Sequence, residues 1–146
     1  MRPSDTRPIR AFLEERHLSF ARDIGEYAAR ALAPRPEPAD DDASRNEARA
    51  LMMEMGTAGW FEPIRARDWR SCCLAREALA AASPLADAVF ALQALGTLPL
   101  LLADEAPMRE RWAADALRGR AMAAFAMTEA EAGSDVAAIA TTATRD

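Results

Sequence analysis

Ala126-Met-Thr-Glu-Ala-Glu-Ala-Gly-Ser-Asp-Val-Ala-Ala138 is the stretch on which the reading of this chain turns. It lies within a run, Arg120 to Ala132, so rich in Ala, Met and Glu that intrinsic propensity alone gives helix. On that plain reading Thr128 and Glu129 end a helix, and Gly133-Ser134-Asp135 is an ordinary loop and cap. The residues also satisfy a stricter pattern: small, aliphatic, Thr or Ser, Glu, two free, small, Gly, Ser or Thr, Asp, two free, small. In an Ala-rich chain the small positions carry little weight, so Thr128, Glu129, Gly133, Ser134 and Asp135 carry it. At average residue usage those five coincide at about a few starts in a million. Chemically, a strand end followed by a Gly-Ser turn offers free amide groups to an anion, and glycine admits a close approach to the backbone.

Working back from this stretch, the chain reads as a series of helices. From Leu13 to Leu32, Phe20, Ile24, Tyr27, Ala28 and Ala31 recur at helical spacing until Pro34 ends the pattern. Pro34 to Asp42, with three prolines and four acids, predicts an extended, solvated linker. Ser44 with Glu47 matches a capping box for a second helix, whose stripe is Ala48, Leu51, Met52 and Met55 and which ends near Gly56 or Gly59. Trp60 to Arg67 reads as a loop around Pro63. A third helix begins at Trp69 and ends at Ser83, which caps a fourth with Pro84 in its first position. The fourth is expected to reach Leu95, where Gly96 and Pro99 interrupt it, and Leu98 to Ala103 continues apolar. Pro107 starts a further helix with a wet face at Arg109, Glu110 and Arg111, closed by Gly119. Val136 to Thr144, richer in β-branched residues, reads as a strand or as a frayed tail.

Composition bounds the function. With 51% hydrophobic and 28% charged residues in 146, the chain suits one soluble globular unit. A net charge of -5, with Arg scattered among acids, argues against nucleic acid as a partner. Cys72 and Cys73 are adjacent, so they neither close a useful loop nor have metal-site spacing; no metal site is expected, and a reducing cytoplasm is the simplest home. Arg2, Arg7 and Arg10 are not followed by an apolar signal core, and acids begin at Asp5, so no leader peptide is expected. The most apolar run, Leu85 to Ala103, contains Asp87, Gln93, Gly96 and Pro99, which favours a buried helix with a break over a membrane span.

The stretch from Ala126 to Ala138 resembles a signature of the acyl-CoA dehydrogenases. Arg76 to Ala80, Leu95 to Pro99, Glu105 to Trp112 and Leu117 to Gly119 are similar to the helices that precede it in that family, in the same order. The likeness runs from Leu13 to Asp146, less than half of a typical member. It implies a mostly α fold: an antiparallel helical bundle over residues 1–119, then the first strand or two of a middle β-domain over residues 120–146. Ala121 to Thr128 would then be a strand in spite of its propensity. The implied cofactor is FAD. Phe125 to Thr128 would lie along its pyrimidine edge, with the Met127 and Thr128 amides and the Thr128 hydroxyl as donors. Gly133 and Ser134 would sit near its pyrophosphate, and Ser134 would also touch the acyl-CoA substrate. The family usually has Pro at the position of Ala130, which leaves this turn less rigid.

The implied reaction is α,β-desaturation of an acyl-CoA thioester: a carboxylate takes the α-proton while the β-hydrogen leaves as hydride to the flavin, whose electrons pass to an electron-transfer acceptor. The whole enzyme would be a homo-oligomer. In the family the base comes from a later helical domain, so no catalytic residue is assigned here and the chain is expected to be an inactive N-terminal portion. Its contribution would be one edge of the flavin site and one wall of the acyl cleft, around Phe90, Ala91 and Leu95. An oxidase or flavin monooxygenase of the same fold is a variant of this reading. A helical interaction module or separately encoded subunit without catalysis is the alternative from another class. Of the other conspicuous residues, Glu129 is expected to pair with an arginine and His17 to lie on the surface or between helices. Cys72 and Cys73 are expected to pack between helices, and Trp60, Trp69 and Trp112 to serve the core or a domain contact.

Overall fold

Helix α1 (Glu15–Tyr27) begins where His17 reaches back to its own first turn: the Glu14 amide donates to His17 Nδ1 at 2.9 Å. The computed structural model describes residues 5–103, 107 and 109–144, so the likeness at Glu105 to Trp112 is described only at Pro107 and from Arg109 onward. A six-residue 3-10 turn, Arg7–Phe12, precedes α1. At its other end α1 passes into a π turn, Ala28–Leu32, so the expected helical span to Leu32 holds.

Helix α2 (Asp41–Thr57) starts earlier than its apolar stripe predicts. Its cap is Asp40, whose Oδ1 accepts from the Ala43 amide at 2.8 Å, while Ser44 lies inside the first turn and donates its hydroxyl to the Asp40 carbonyl. Asp40, Asp41 and Asp42 all sit at the positive end of the helix dipole, so residues that look like solvated linker stabilise a helix start. A short helix, α3 (Glu62–Ala66), fills the expected loop, with Pro63 in its first turn and Arg67 at φ 54 closing it. Helix α4 (Trp69–Ala82) follows immediately. Ser83 ends α4 and caps α5 (Pro84–Leu102), its hydroxyl accepting from the Ala86 amide at 3.2 Å with Pro84 first in the helix, as expected.

The expected break in α5 does not occur. The helix runs through Gly96 and Pro99 to Leu102. Pro99 is on the exposed face, where one missing amide hydrogen bond is tolerated. Gly96 is where another segment crosses: a Cβ there would stand 2.6 Å from the Ala124 amide nitrogen. By length and composition α5 is apolar enough to cross a bilayer, yet Ala86, Phe90, Gln93 and Thr97 form a buried stripe against the bundle. A π turn, Arg109–Ala113, leads into α6 (Ala114–Leu117), and Gly119 at φ 69 closes it as expected.

The core lies where α1, α2, α4 and α5 meet. Ile24, Leu51, Met55, Phe61, Leu79 and Phe90 are fully enclosed, and the Phe61 and Phe90 rings stand 5.9 Å apart. Trp60 flanks this core against Phe20 and Tyr27, as expected, whereas Trp69 and Trp112 are 50% and 41% exposed. Arg76 grips Asp87 with two 2.8 Å hydrogen bonds and joins α4 to α5. Cys72 is buried and Cys73 exposed, because adjacent helical positions point about 100° apart. Burial, the nearby Asp68 carboxylate and Cys73 push the Cys72 thiol up to about 11.

His17 is wholly enclosed and belongs between helices, not on the surface. Its Nδ1 accepts the Glu14 amide, so in the neutral ring the proton sits on Nε2, which faces Asp68 Oδ1 at 3.2 Å. Asp68 is the cap of α4 and also receives Ser71 Oγ at 2.8 Å. Burial pushes the Asp68 carboxyl up, but the Ser71 hydrogen bonds and the neighbouring His17 and Arg16 outweigh it and hold the group below the usual carboxylate range. A carboxylate held low contributes stability in full above its unfolded value and loses it as pH falls through the folded one. Asp68→Ala is therefore expected to cost about 1–2 kcal/mol at neutral pH. Urea unfolding of both proteins should show the difference shrinking as the pH falls through and below the ordinary carboxylate range.

Among the described residues there is no strand. Met122 to Glu129 is neither helix nor strand, and Val136–Ala138 is a 3-10 turn followed by irregular chain, instead of the expected second strand. A strand persists only with a ladder neighbour, and none of the described residues offers one to Ala121–Thr128.

Candidate functional site

The segment after Gly119 is held against α5 by a side chain that in the sequence is only a polar interruption of an apolar run. Gln93, 2% exposed, donates Nε2 to the carbonyls of Ala116 at 2.9 Å and Ala121 at 3.0 Å, and its Oε1 accepts the Ala123 amide at 2.6 Å. Ala124 then crosses over Gly96. These contacts, and not helix propensity, decide the path of Ala121 to Phe125: the backbone groups that a helix would use internally are taken by Gln93.

Between α2, α5 and this segment lies a cleft of about 330 Å³. Met52 of α2, Leu85, Val89 and Leu92 of α5, and Met122 and Phe125 of the segment line it. Its one polar lining residue is Gln93, whose amide is already engaged, so the cleft is chemically apolar. Of the residues expected at an acyl wall, Phe90 turns inward to Phe61 and is wholly buried, a correction, while Ala91 and Leu95 lie outside the lining of this cleft. Phe125, expected at a cofactor edge, has its side chain in this cleft.

Beyond Phe125, Met127 is 40% exposed and Thr128 is exposed. A tight turn follows, in which the Glu129 amide donates to the Ala132 carbonyl at 2.8 Å and the Ala132 amide returns the bond at 3.4 Å. Ala132 is buried and anchors the turn. Gly133 and Ser134 are exposed directly after it, and a Cβ on Gly133 would meet nothing within 4 Å. Asp135 Oδ1 accepts the Ala137 amide at 3.2 Å and caps the 3-10 turn. Among the described residues no arginine pairs with Glu129. Its carboxylate accepts the amides of Ala140 at 2.9 Å and Thr141 at 2.8 Å, together with the Thr141 hydroxyl. Those bonds hold the Glu129 pKa below the usual carboxylate range. A carboxylate so stabilised is a poor proton acceptor.

Thr128 and the Gly133-Ser134 loop stand on either side of one turn, in open space, with an apolar cleft at Phe125. Unladdered backbone and an open glycine fit the polar edge and phosphates of a nucleotide cofactor.

A helical bundle leading into this Thr-Glu and Gly-Ser-Asp segment belongs to the acyl-CoA dehydrogenase family of oxidoreductases, whose members generally depend on FAD. The relative that carries the assignment is benzylmalonyl-CoA dehydrogenase of Aromatoleum aromaticum, 39% identical over 118 residues that cover 75% of this chain and 31% of that protein. The chain thus spans about a third of the length of the curated relative it matches. No protein-family model matches the chain.

Proposed function

We propose that this chain supplies the helical domain and one flavin-contacting edge of an FAD-dependent acyl-CoA dehydrogenase that desaturates acyl-CoA thioesters between the α and β carbons. The observation that carries the reading is the exposed Phe125 to Thr128 segment, bordered by an apolar cleft on one side and by the open Gly133-Ser134 loop on the other. Residues 1–119 form the helical domain and residues 120–146 begin the middle β-domain, where Ala121 to Thr128 completes a strand once a ladder neighbour is present. FAD, when bound, accepts the hydride from the β carbon. The Met127 and Thr128 amides and the Thr128 hydroxyl would donate along its pyrimidine edge, Gly133 and Ser134 would hold its pyrophosphate, and Ser134 would also meet the acyl-CoA. The cleft at Leu92 and Phe125 excludes water from the acyl group.

Glu129 is held as a carboxylate by three donors and is ill suited to take the α-proton. On this reading the base is supplied by another part of the whole enzyme, and the chain by itself is inactive. On this reading the whole protein is cytoplasmic and homo-oligomeric, and it passes its electrons to an electron-transfer acceptor.

Equilibrium titration of the full-length protein with FAD tests the assignment. Thr128→Ala should weaken binding by about 1–3 kcal/mol, the cost of a lost hydrogen bond to such a group, and shift the visible flavin spectrum. Ser134→Ala should raise the KM for acyl-CoA. A Thr128→Ala protein with wild-type FAD affinity and spectrum, together with a Ser134→Ala protein of unchanged KM, returns the stretch to an ordinary turn and leaves the helical interaction module standing.

A further inference from the structure

The geometry points to Gln93 as a positioning residue for the flavin-contacting segment, a role that rests on the flavin reading above. Its amide is used almost to capacity within the protein. Both Nε2 hydrogens have carbonyl acceptors, at Ala116 and Ala121, and Oε1 takes the Ala123 amide. The three tied groups straddle the turn at Arg118 to Arg120, so one side chain on α5 sets both where α6 stops and where the next segment departs.

Two observations make this more than internal glue. First, the position is costly: a glutamine wholly enclosed in a helix that is otherwise apolar on nearly every side is stable only with all its polar atoms matched. Apolar side chains at this place would fill the space without specifying a path. Second, the tie is the last one before the site. After Ala123, and with Ala124 seated on Gly96, the backbone from Phe125 to Thr128 has no further hydrogen bond among the described residues until the Glu129–Ala132 turn. The amides of Met127 and Thr128 are therefore placed by two end anchors, Gln93 with Gly96 at one end and the turn at the other. A shift of an ångström at the first anchor carries through to the donors, and precise placement of donors is what a cofactor site depends on.

The test separates a tie that merely stabilises from one that positions. In the full-length protein, Gln93→Leu removes all three bonds. Gln93→Glu keeps an acceptor for Ala123 but loses both donors, and it carries the same expectation where the leucine variant does not fold. Gly96→Ala leaves Gln93 intact and displaces Ala124 by the added methyl group. Amide hydrogen exchange should speed up over residues 116–123 while the protection of α1 and α4 is retained. FAD affinity should fall by about tenfold or more, with a shifted flavin spectrum. Faster exchange in that segment with wild-type FAD affinity and spectrum would overturn the positioning role, and so would unchanged exchange. A wild-type protein that binds no FAD would instead overturn the flavin reading itself, which keeps the two failures apart.

Discussion

Gly119→Ala is expected to destabilise the protein by about 2–5 kcal/mol, the sum of left-handed backbone strain of about 1–2 kcal/mol and an overpacking cost of about 1–3 kcal/mol. Gly119 sits at φ 69, and a Cβ there would lie 2.2 Å from the Met52 carbonyl oxygen of α2. On the facing side a Cβ on Gly56 would lie 2.3 Å from the Arg118 carbonyl carbon and from the Gly119 nitrogen. Both obstacles are backbone, so no side chain can swing aside. Gly59→Ala is the control, because Gly59 is at φ 80 with nothing within 4 Å and pays the strain alone. Equilibrium urea unfolding of the two variants reads the difference, and equal losses would mean that α2 does not meet the α6 turn as closely as described. The same crossing holds the start of the segment proposed to contact FAD, so on that reading the variant should also lose FAD affinity.

Phe90→Ala carries the other large effect, about 3–5 kcal/mol for deleting a fully enclosed aromatic ring. Leu92→Ala, two residues on and 50% exposed, should cost less than about 1 kcal/mol in stability and, on the proposed function, raise the KM for acyl-CoA in the full-length protein, because Leu92 lines the cleft. The opposite result, a stable Phe90→Ala protein with impaired substrate binding, would restore Phe90 to the acyl wall.

That contrast marks where sequence reading runs out. The helices themselves were legible wherever one face is apolar and the ends are punctuated: Pro34 after α1, Ser83 and Pro84 between α4 and α5, Gly119 after α6. In α5 the spacing is silent about orientation, because the helix is apolar nearly all round. The buried stripe, Ala86, Phe90, Gln93 and Thr97, includes two polar residues, and this reverses the rule by which a buried face is chosen. The start of α2 was hidden because Asp40 to Asp42 serve equally as solvated linker and as favourable helix N-terminus. At the candidate site, the residue types along Thr128 to Asp135 were legible as a pattern. Their local geometry was not, since the turn bonds between Glu129 and Ala132 and the capture of Thr141 by Glu129 depend on partners at variable distance along the chain. Propensity gave helix and the family likeness gave strand for Ala121 to Thr128. The described segment is neither, because Gln93 outcompetes the helix and a strand requires a neighbour.

The two cysteines, one turned inward and one outward on α4, give this protein an internal gauge of its own folding. A neutral-pH thiol reagent should consume one equivalent per native chain, at Cys73, while Cys72, with its thiol pushed up to about 11, stays silent until the helices separate. The rate at which the second equivalent appears then reports how often α4 comes away from the bundle, with no label added and no residue changed.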